Sequence, residues 1–212
     1  GISFVLIDMA QPGVTVKPIL LISGNSPFCE TFFDDATVRK DSLVGQLNRG
    51  WTVGKRLLQH ERSSISGLSS GGKKGRYDDM GKLSDIAVEY IGKDSGKLAD
   101  PALRDAVIQN ELNQRAFGLT QQRFMAESDK GETATFATSM FKYYGSETGK
   151  ERLELQLKAM GTQSLGWEGP VFDVKERTLT RTWLRSKAGS IAGGSSEIQL
   201  NIIAKRVLGL PD

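Results

Sequence analysis

The segment LLQHERSS, from Leu57 to Ser64, puts a carboxylate where a helix would ordinarily keep an apolar side chain. Leu57, Leu58, Ile65 and Leu68 recur at helical spacing, and Glu61 falls four residues after Leu57 and four before Ile65. On a helix it therefore shares the face of the leucines. A carboxylate on a covered apolar face is desolvated, which moves its pKa up toward the range that a general base needs near neutral pH. Arg62 is turned about 100° from it around the helix, where it can meet an anionic ligand. The same spacing also suits an intramolecular ion pair, or a side chain that snorkels at a helix edge.

A second candidate is the run GSIAGGSSEIQLNIIAKRVLGLP, residues 189–211. Ser196 and Gln199 have the spacing of a capping box, and Ile198, Ile202 and Ile203 are expected to bury one side of the helix that follows. A helix start offers backbone N–H groups and the positive end of the macrodipole. Gly193 and Gly194, just ahead of it, let a ligand approach the backbone, as anionic cofactors do in such places. An ordinary capped helix after a flexible loop has the same signature.

The elements that would hold these groups change character along the chain. Strand-like alternation occupies Ile2–Asp8, Gly13–Ile19 and Glu30–Val38, separated by turn residues. So few strands cannot close a barrel or cover both faces of a sheet, and they read as part of a larger β domain. Because the chain opens in strand pattern without Met, it is expected to be a piece of a longer protein. From Gly50 onward helical spacing takes over. Helices are expected over 50–66, 80–96, 100–128 and 132–161, with a loop over 68–79 and a last helix from Ser196. Asp100 as cap and Pro101 at the first turn mark the third start. Long antiparallel helices with short connections mean a bundle. The expected fold is mainly α: a partial antiparallel β domain over 1–49, then an up-down four-helix-bundle-type domain over 50–212.

The 212 residues are 38% hydrophobic and 25% charged, with a net charge of +3, which suits a soluble globular chain with a core. The small, dispersed positive excess gives no nucleic-acid footprint. One Cys and one His leave no zinc ligand set and no disulfide framework, which fits a reducing, cytoplasmic, bacterial-like setting. No apolar run reaches membrane-spanning length.

Taken together, GGSSEIQLNIIAKRVLGLP and ETFFDDATVRKDSLVGQLNRGW resemble the C-terminal half of an acyl-CoA dehydrogenase, and the resemblance covers essentially the whole chain. The first matches that family's Gly-Gly-Thr-x-Glu-Ile-Gln helix start and its closing Arg-Val-Leu-Gly-Leu-Pro. The second matches its passage from β domain to C-terminal bundle. The resemblance implies FAD as cofactor, an acyl-CoA thioester as substrate, and a role in lipid metabolism of the fatty-acid β-oxidation type. It implies a glutamate that removes the α proton while hydride leaves the β carbon for the flavin. Many relatives carry that glutamate where this chain has Gly193. A minority place it in a Glu-Arg pair on the first bundle helix, and Glu61-Arg62 stands there. By resemblance Glu61 is the base, and Gln59, His60, Glu61 and Arg62 form the substrate-contacting turn. Ile191, Gly194, Ser195, Ser196 and Glu197 would meet the adenine and phosphate end of FAD. A Gly at 193 leaves space for a bulky or branched acyl group.

Two departures bear on the assembly. The Arg-x-x-Phe-Gly segment that touches a neighbour's flavin has no match here, and the family's Gln-x-x-Gly-Gly reads Lys158, Gly161 and Thr162. Similar variants resemble a bacterial branch that handles large acyl-CoAs, some as pairs of unlike subunits of which only one brings the base. The expected partners are an electron-transfer flavoprotein or similar acceptor and a homo- or hetero-tetramer. The alternative to a dehydrogenase is a non-catalytic partner subunit of the same fold. These residues alone, without the family's N-terminal α domain, are expected to bind FAD weakly or not at all and to be inactive.

Overall fold

The computed structural model describes residues 1–65, 81–128 and 137–211. The loop expected over 68–79 and the start of the helix expected from Glu132 lie outside the described residues. The chain divides into two units, Gly1–Ser63 and Ser64–Asp212. The division falls near the end of the first helix, so that helix is grouped with the strands.

Alternating apolar residues make the first unit's strands Phe4–Val5 (β1), Val14–Ile19 (β2), Phe28–Phe33 (β3) and Leu43–Val44 (β4). β2 and β3 are an antiparallel hairpin in register from Val14 opposite Phe33 to Ile19 opposite Phe28, and β1 pairs antiparallel with β4. The strand expected over Glu30–Val38 stops at Phe33. There Asp34 N–H donates to the Gly13 carbonyl at 2.8 Å, and Asp35 turns left-handed with φ +52°. Val16, Phe28, Phe32 and Phe33 are exposed, as expected of a sheet with too few strands to cover itself. The helix Gly50–Ile65 (α1) is seated on this unit at its first residue. Gly50 N–H donates to the Ile2 carbonyl at 2.8 Å, and a Cβ at Gly50 would meet the Phe4 nitrogen at 2.3 Å. Only glycine allows that approach.

The second unit is an up-down bundle. Leu83–Ile91 (α2) ends at Gly92, whose φ of +78° breaks the helix. The expected continuation to residue 96 is replaced by a tight hairpin, Lys93–Asp94 (β5) and Lys97–Leu98 (β6). Ser95 and Gly96, with φ of +50° and +77°, make its two-residue turn. Pro101–Ser128 (α3) starts as expected: the Asp100 carboxylate accepts Leu103 N–H at 2.9 Å. Ala137–Met160 (α4) runs back along it. Phe117, Phe124, Phe141 and Tyr144 stack between the two, and Asn110 Nδ2 donates to Glu151 at 2.7 Å and to the Thr148 carbonyl at 3.2 Å.

No helix was expected between Met160 and Ser196, yet Val174–Ser186 (α5) completes the bundle, antiparallel to α4. Its start is a capping box: Asp173 accepts Lys175 N–H, and Glu176 accepts Asp173 N–H at 2.8 Å. The other Glu176 oxygen accepts the Tyr90 hydroxyl at 3.0 Å, and burial, together with this carboxylate, pushes the Tyr90 pKa up to about 12. α4 packs against α2, α3 and α5, so it needs two apolar sides. Leu155 and Ala159 join a cluster with Leu83, Ala87, Leu103 and Val107, while Leu153 and Met160 join Ile86 and Leu179. The face of α3 opposite its buried one carries Ile108, Leu112 and Leu119, all near or above half exposed at 49%, 59% and 53%.

Candidate functional site

The last helix, Ser196–Ile202 (α6), follows a turn that needs two left-handed residues, Gly193 at φ +68° and Gly194 at φ +91°. Those angles aim the two glycine carbonyls at Gln199, whose Nε2 donates to them at 3.2 and 3.4 Å. A Cβ at Gly194 would strike that amide at 2.6 Å, so the turn is bare by necessity. The expected capping box between Ser196 and Gln199 does not form. Ser195 is the cap, accepting Ile198 N–H at 3.4 Å. Ser196 is buried and donates instead to the Glu147 carboxylate of α4, a charge-assisted bond stronger than a neutral cap. Ile198, expected to be buried, is 52% exposed, while Ile202 and Ile203 are partly covered.

Glu147 was not visible as a candidate in the sequence. One of its oxygens accepts both Ser196 Oγ at 2.7 Å and Ser190 Oγ at 2.8 Å, and the other meets Lys150 Nζ at 2.8 Å. Burial pushes this carboxyl up, but the bonds from Lys150, Ser196 and Ser190 outweigh it and hold its pKa below the ordinary glutamate value. Beside this cluster the Lys142 ammonium is buried without a hydrogen-bond partner among the described residues. Burial lowers its pKa, with Glu147 and Glu197 pulling the other way. Hydrogen bonding by the Ser195 hydroxyl and by its own backbone holds the exposed Glu197 carboxyl low.

A group whose folded pKa lies below its unfolded value favours folding above that unfolded value, here 4.5, and loses the contribution as pH falls through the folded one. Glu154, held down by the Lys187 ammonium, acts with the same sign. Urea-unfolding midpoints should therefore drop on acidification below about pH 4.5, and Glu147→Gln should drop less steeply than the parent. Parallel acid limbs would show that the Glu147 bonds contribute nothing to stability.

Several expected site residues are brought together and others are not. Ile191, Gly194, Ser195, Ser196 and Glu197 form one turn, with Ile191 exposed. Lys158 lies near the far end of α4, roughly 16 Å along that helix from Glu147 at 1.5 Å per residue, and Gly161 and Thr162 follow in the 3-10 turn after it; all three are exposed. His60 and Glu61 are exposed on α1, as are Leu57 and Leu58 at 56% and 39%. The desolvation expected for Glu61 is thus not supplied by the described residues, because Leu57 and Leu58 beside it are exposed. The side chains of Gln59 and Arg62 lie outside the described residues.

The family model for the acyl-CoA dehydrogenase C-terminal domain matches residues 48–208, and the chain belongs to the acyl-CoA dehydrogenase family. It is 34% identical over 212 residues to the acyl-CoA dehydrogenase IpdE1 of Mycolicibacterium smegmatis (strain ATCC 700084 / mc(2)155), covering all of this chain and 50% of that protein. Among solved structures, the Tcur3481-Tcur3483 steroid ACAD has the same fold, with a TM-score of 0.80 at 21% identity over 100% of this chain and 52% of that one. The FAD complex of PigA has it too, with a TM-score of 0.72 at 24% identity over 99% and 52%. The chain spans about half the length of the relatives it matches. Among the described residues no helix is long and apolar enough to cross a membrane.

Proposed function

We propose that in its full-length protein this chain serves FAD-dependent α,β-dehydrogenation of an acyl-CoA thioester. The observation that carries the reading is the bare Gly193-Gly194 turn ahead of α6, whose carbonyls accept from Gln199, flanked by the buried Lys142 ammonium, which has no hydrogen-bond partner among the described residues. Exposed backbone and a nearby cation suit the anionic, adenine-bearing end of a dinucleotide. Ile191, Gly194, Ser195, Ser196 and Glu197 would hold that end. Lys158, Gly161 and Thr162, at the other end of α4, would reach the flavin of a neighbouring subunit. Bound FAD supplies the hydride acceptor.

The proton chemistry is this chain's own. Glu61 takes the α proton of the thioester on a carboxylate oxygen, and Gln59, His60 and Arg62 line the same turn. The family membership and the Glu-Arg pair support this role, and Gly193, with no side chain, cannot take it. Its missing side chain favours a bulky or branched acyl group. Burial of Glu61 would come with the complete protein and its substrate. The exposed stripe of Ile108, Leu112 and Leu119 supports assembly through α3 into a homo- or hetero-tetramer. An electron-transfer flavoprotein or similar carrier would reoxidise the cofactor. The departures at Lys158 and Thr162 favour one second reading, a non-catalytic partner subunit.

The test is anaerobic. The full-length protein is purified with FAD and titrated with short, branched and steroid-like acyl-CoAs while the flavin absorbance is followed. Bleaching by one class establishes the reaction and names the substrate class. Bound flavin that no thioester bleaches would favour the partner-subunit reading.

A further inference from the structure

We propose that Glu147 is a positioning residue for the cofactor turn. A single carboxylate oxygen, accepting from Ser190 on one side and Ser196 on the other, ties both ends of the Gly193-Gly194 turn to α4. The inference rests on the reading of this turn as the FAD site and deepens it.

The geometry is specific. Ser190 closes a short 3-10 turn, Lys187–Ser190, and Ser196 is the first residue of α6. Between them lie Ile191 and Ala192, both exposed, the two left-handed glycines Gly193 and Gly194, and the cap Ser195. Such a segment loses the most backbone entropy on ordering. Its shape must therefore be imposed by polar ties. Inside the loop the tie is Gln199. From outside it is Glu147, held against rotation because Lys150 occupies its second oxygen one turn along the same helix. Both serine bonds are charge-assisted and span 43 and 49 residues of sequence, so they fix tertiary position rather than local conformation. A turn set in advance spares the ligand that ordering cost and raises its affinity. Glu147 lies beyond the apolar clusters around Leu153, Leu155 and Leu179, so truncating it leaves the bundle core intact.

The experiment uses the full-length protein and four variants: Glu147→Ala, Glu147→Gln, the double Ser190→Ala/Ser196→Ala, and the triple that combines the alanine changes. FAD dissociation constants come from flavin fluorescence. Amide hydrogen exchange over residues 190–199 is measured on the apoprotein. Glu147→Ala and the serine double should each weaken FAD on the order of ten- to a hundred-fold and speed exchange in that segment. The triple should add little to the exchange rate, since the three side chains act on the turn through one contact. Glu147→Gln keeps a carbonyl oxygen that can accept both hydroxyls, and should retain most of the affinity. Exchange and affinity unchanged in Glu147→Ala would overturn the proposal. So would faster exchange with unchanged FAD affinity, because the tie would then exist without positioning the cofactor. A parent protein that holds no FAD would sink the cofactor reading instead, and the exchange data alone would then decide whether Glu147 orders the turn.

Discussion

In the full-length protein, Glu61→Gln should abolish the proposed oxidation of the thioester while leaving the flavin bound. Glutamine matches glutamate in shape and hydrogen-bonding reach but cannot accept a proton at carbon-acid strength. Positioned general bases contribute about 10²–10⁴-fold. Here the loss should sit at the upper end, since Gly193 offers no substitute and α-proton removal cannot be bypassed. The measurement is the rate of anaerobic flavin bleaching by the best thioester, parent against variant, at equal flavin occupancy. A variant that bleaches at the parental rate would place the base elsewhere and favour the partner-subunit reading. Glu61 is exposed in this chain, so cover for it would come from elsewhere in the protein, its assembly or the substrate.

Leu112→Glu with Leu119→Glu should break the assembly and spare the fold. Leu103, Val107 and Asn110 face α4 and the core, so α3 has no room for Leu112 and Leu119 on that side. Both leucines are more than half exposed at 59% and 53%. Burying one leucine in an interface is worth about 1.5–3 kcal/mol, and a symmetric contact counts each one twice. Replacing them with carboxylates should weaken association by at least about 10³-fold. Light scattering coupled to size exclusion would report a smaller species, while far-UV circular dichroism stays at the parental level. An unchanged mass would show that this seam is covered by another part of the same polypeptide or lies free in solution.

Legibility in the sequence followed the range of the interactions. The α3 start was readable because Asp100 caps Leu103 only three residues away. The Asp173–Glu176 box is just as local and also marks a helix, but α5 was missed. Its sequence, VKERTLTRTWLRS, is mostly polar, and of its buried residues, Glu176, Leu179, Thr180 and Ser186, Leu179 alone is apolar. α4 shows no single apolar face because it is covered on more than one side, and only packing reveals that. The cap of α6 moved from Ser196 to Ser195 for a similar reason: a buried partner 49 residues away outbid a local bond. Glu147 itself stands in a mixed, largely polar run, YYGSETGKERLE, and nothing near it in sequence hints at two distant serines. Glu61 was legible as a residue type in a suggestive frame, but its environment was not.

The unbroken run of α4 has a consequence for the distance between sites. From Ala137 to Met160 it passes the Glu147 tie and carries Lys158 in its last turn, with Gly161 and Thr162 just beyond. If its two ends serve two different cofactors in an assembly, the helix is a ruler whose graduation is the residue. Inserting one residue between Glu147 and Lys158 would swing one end about 100° around the axis, while deleting a full turn would shorten the gap by about 5 Å and nearly preserve the facing. Spacing between neighbouring redox centres would then be written in the count of residues along one helix, and relatives could change their side chains freely while that count stays fixed.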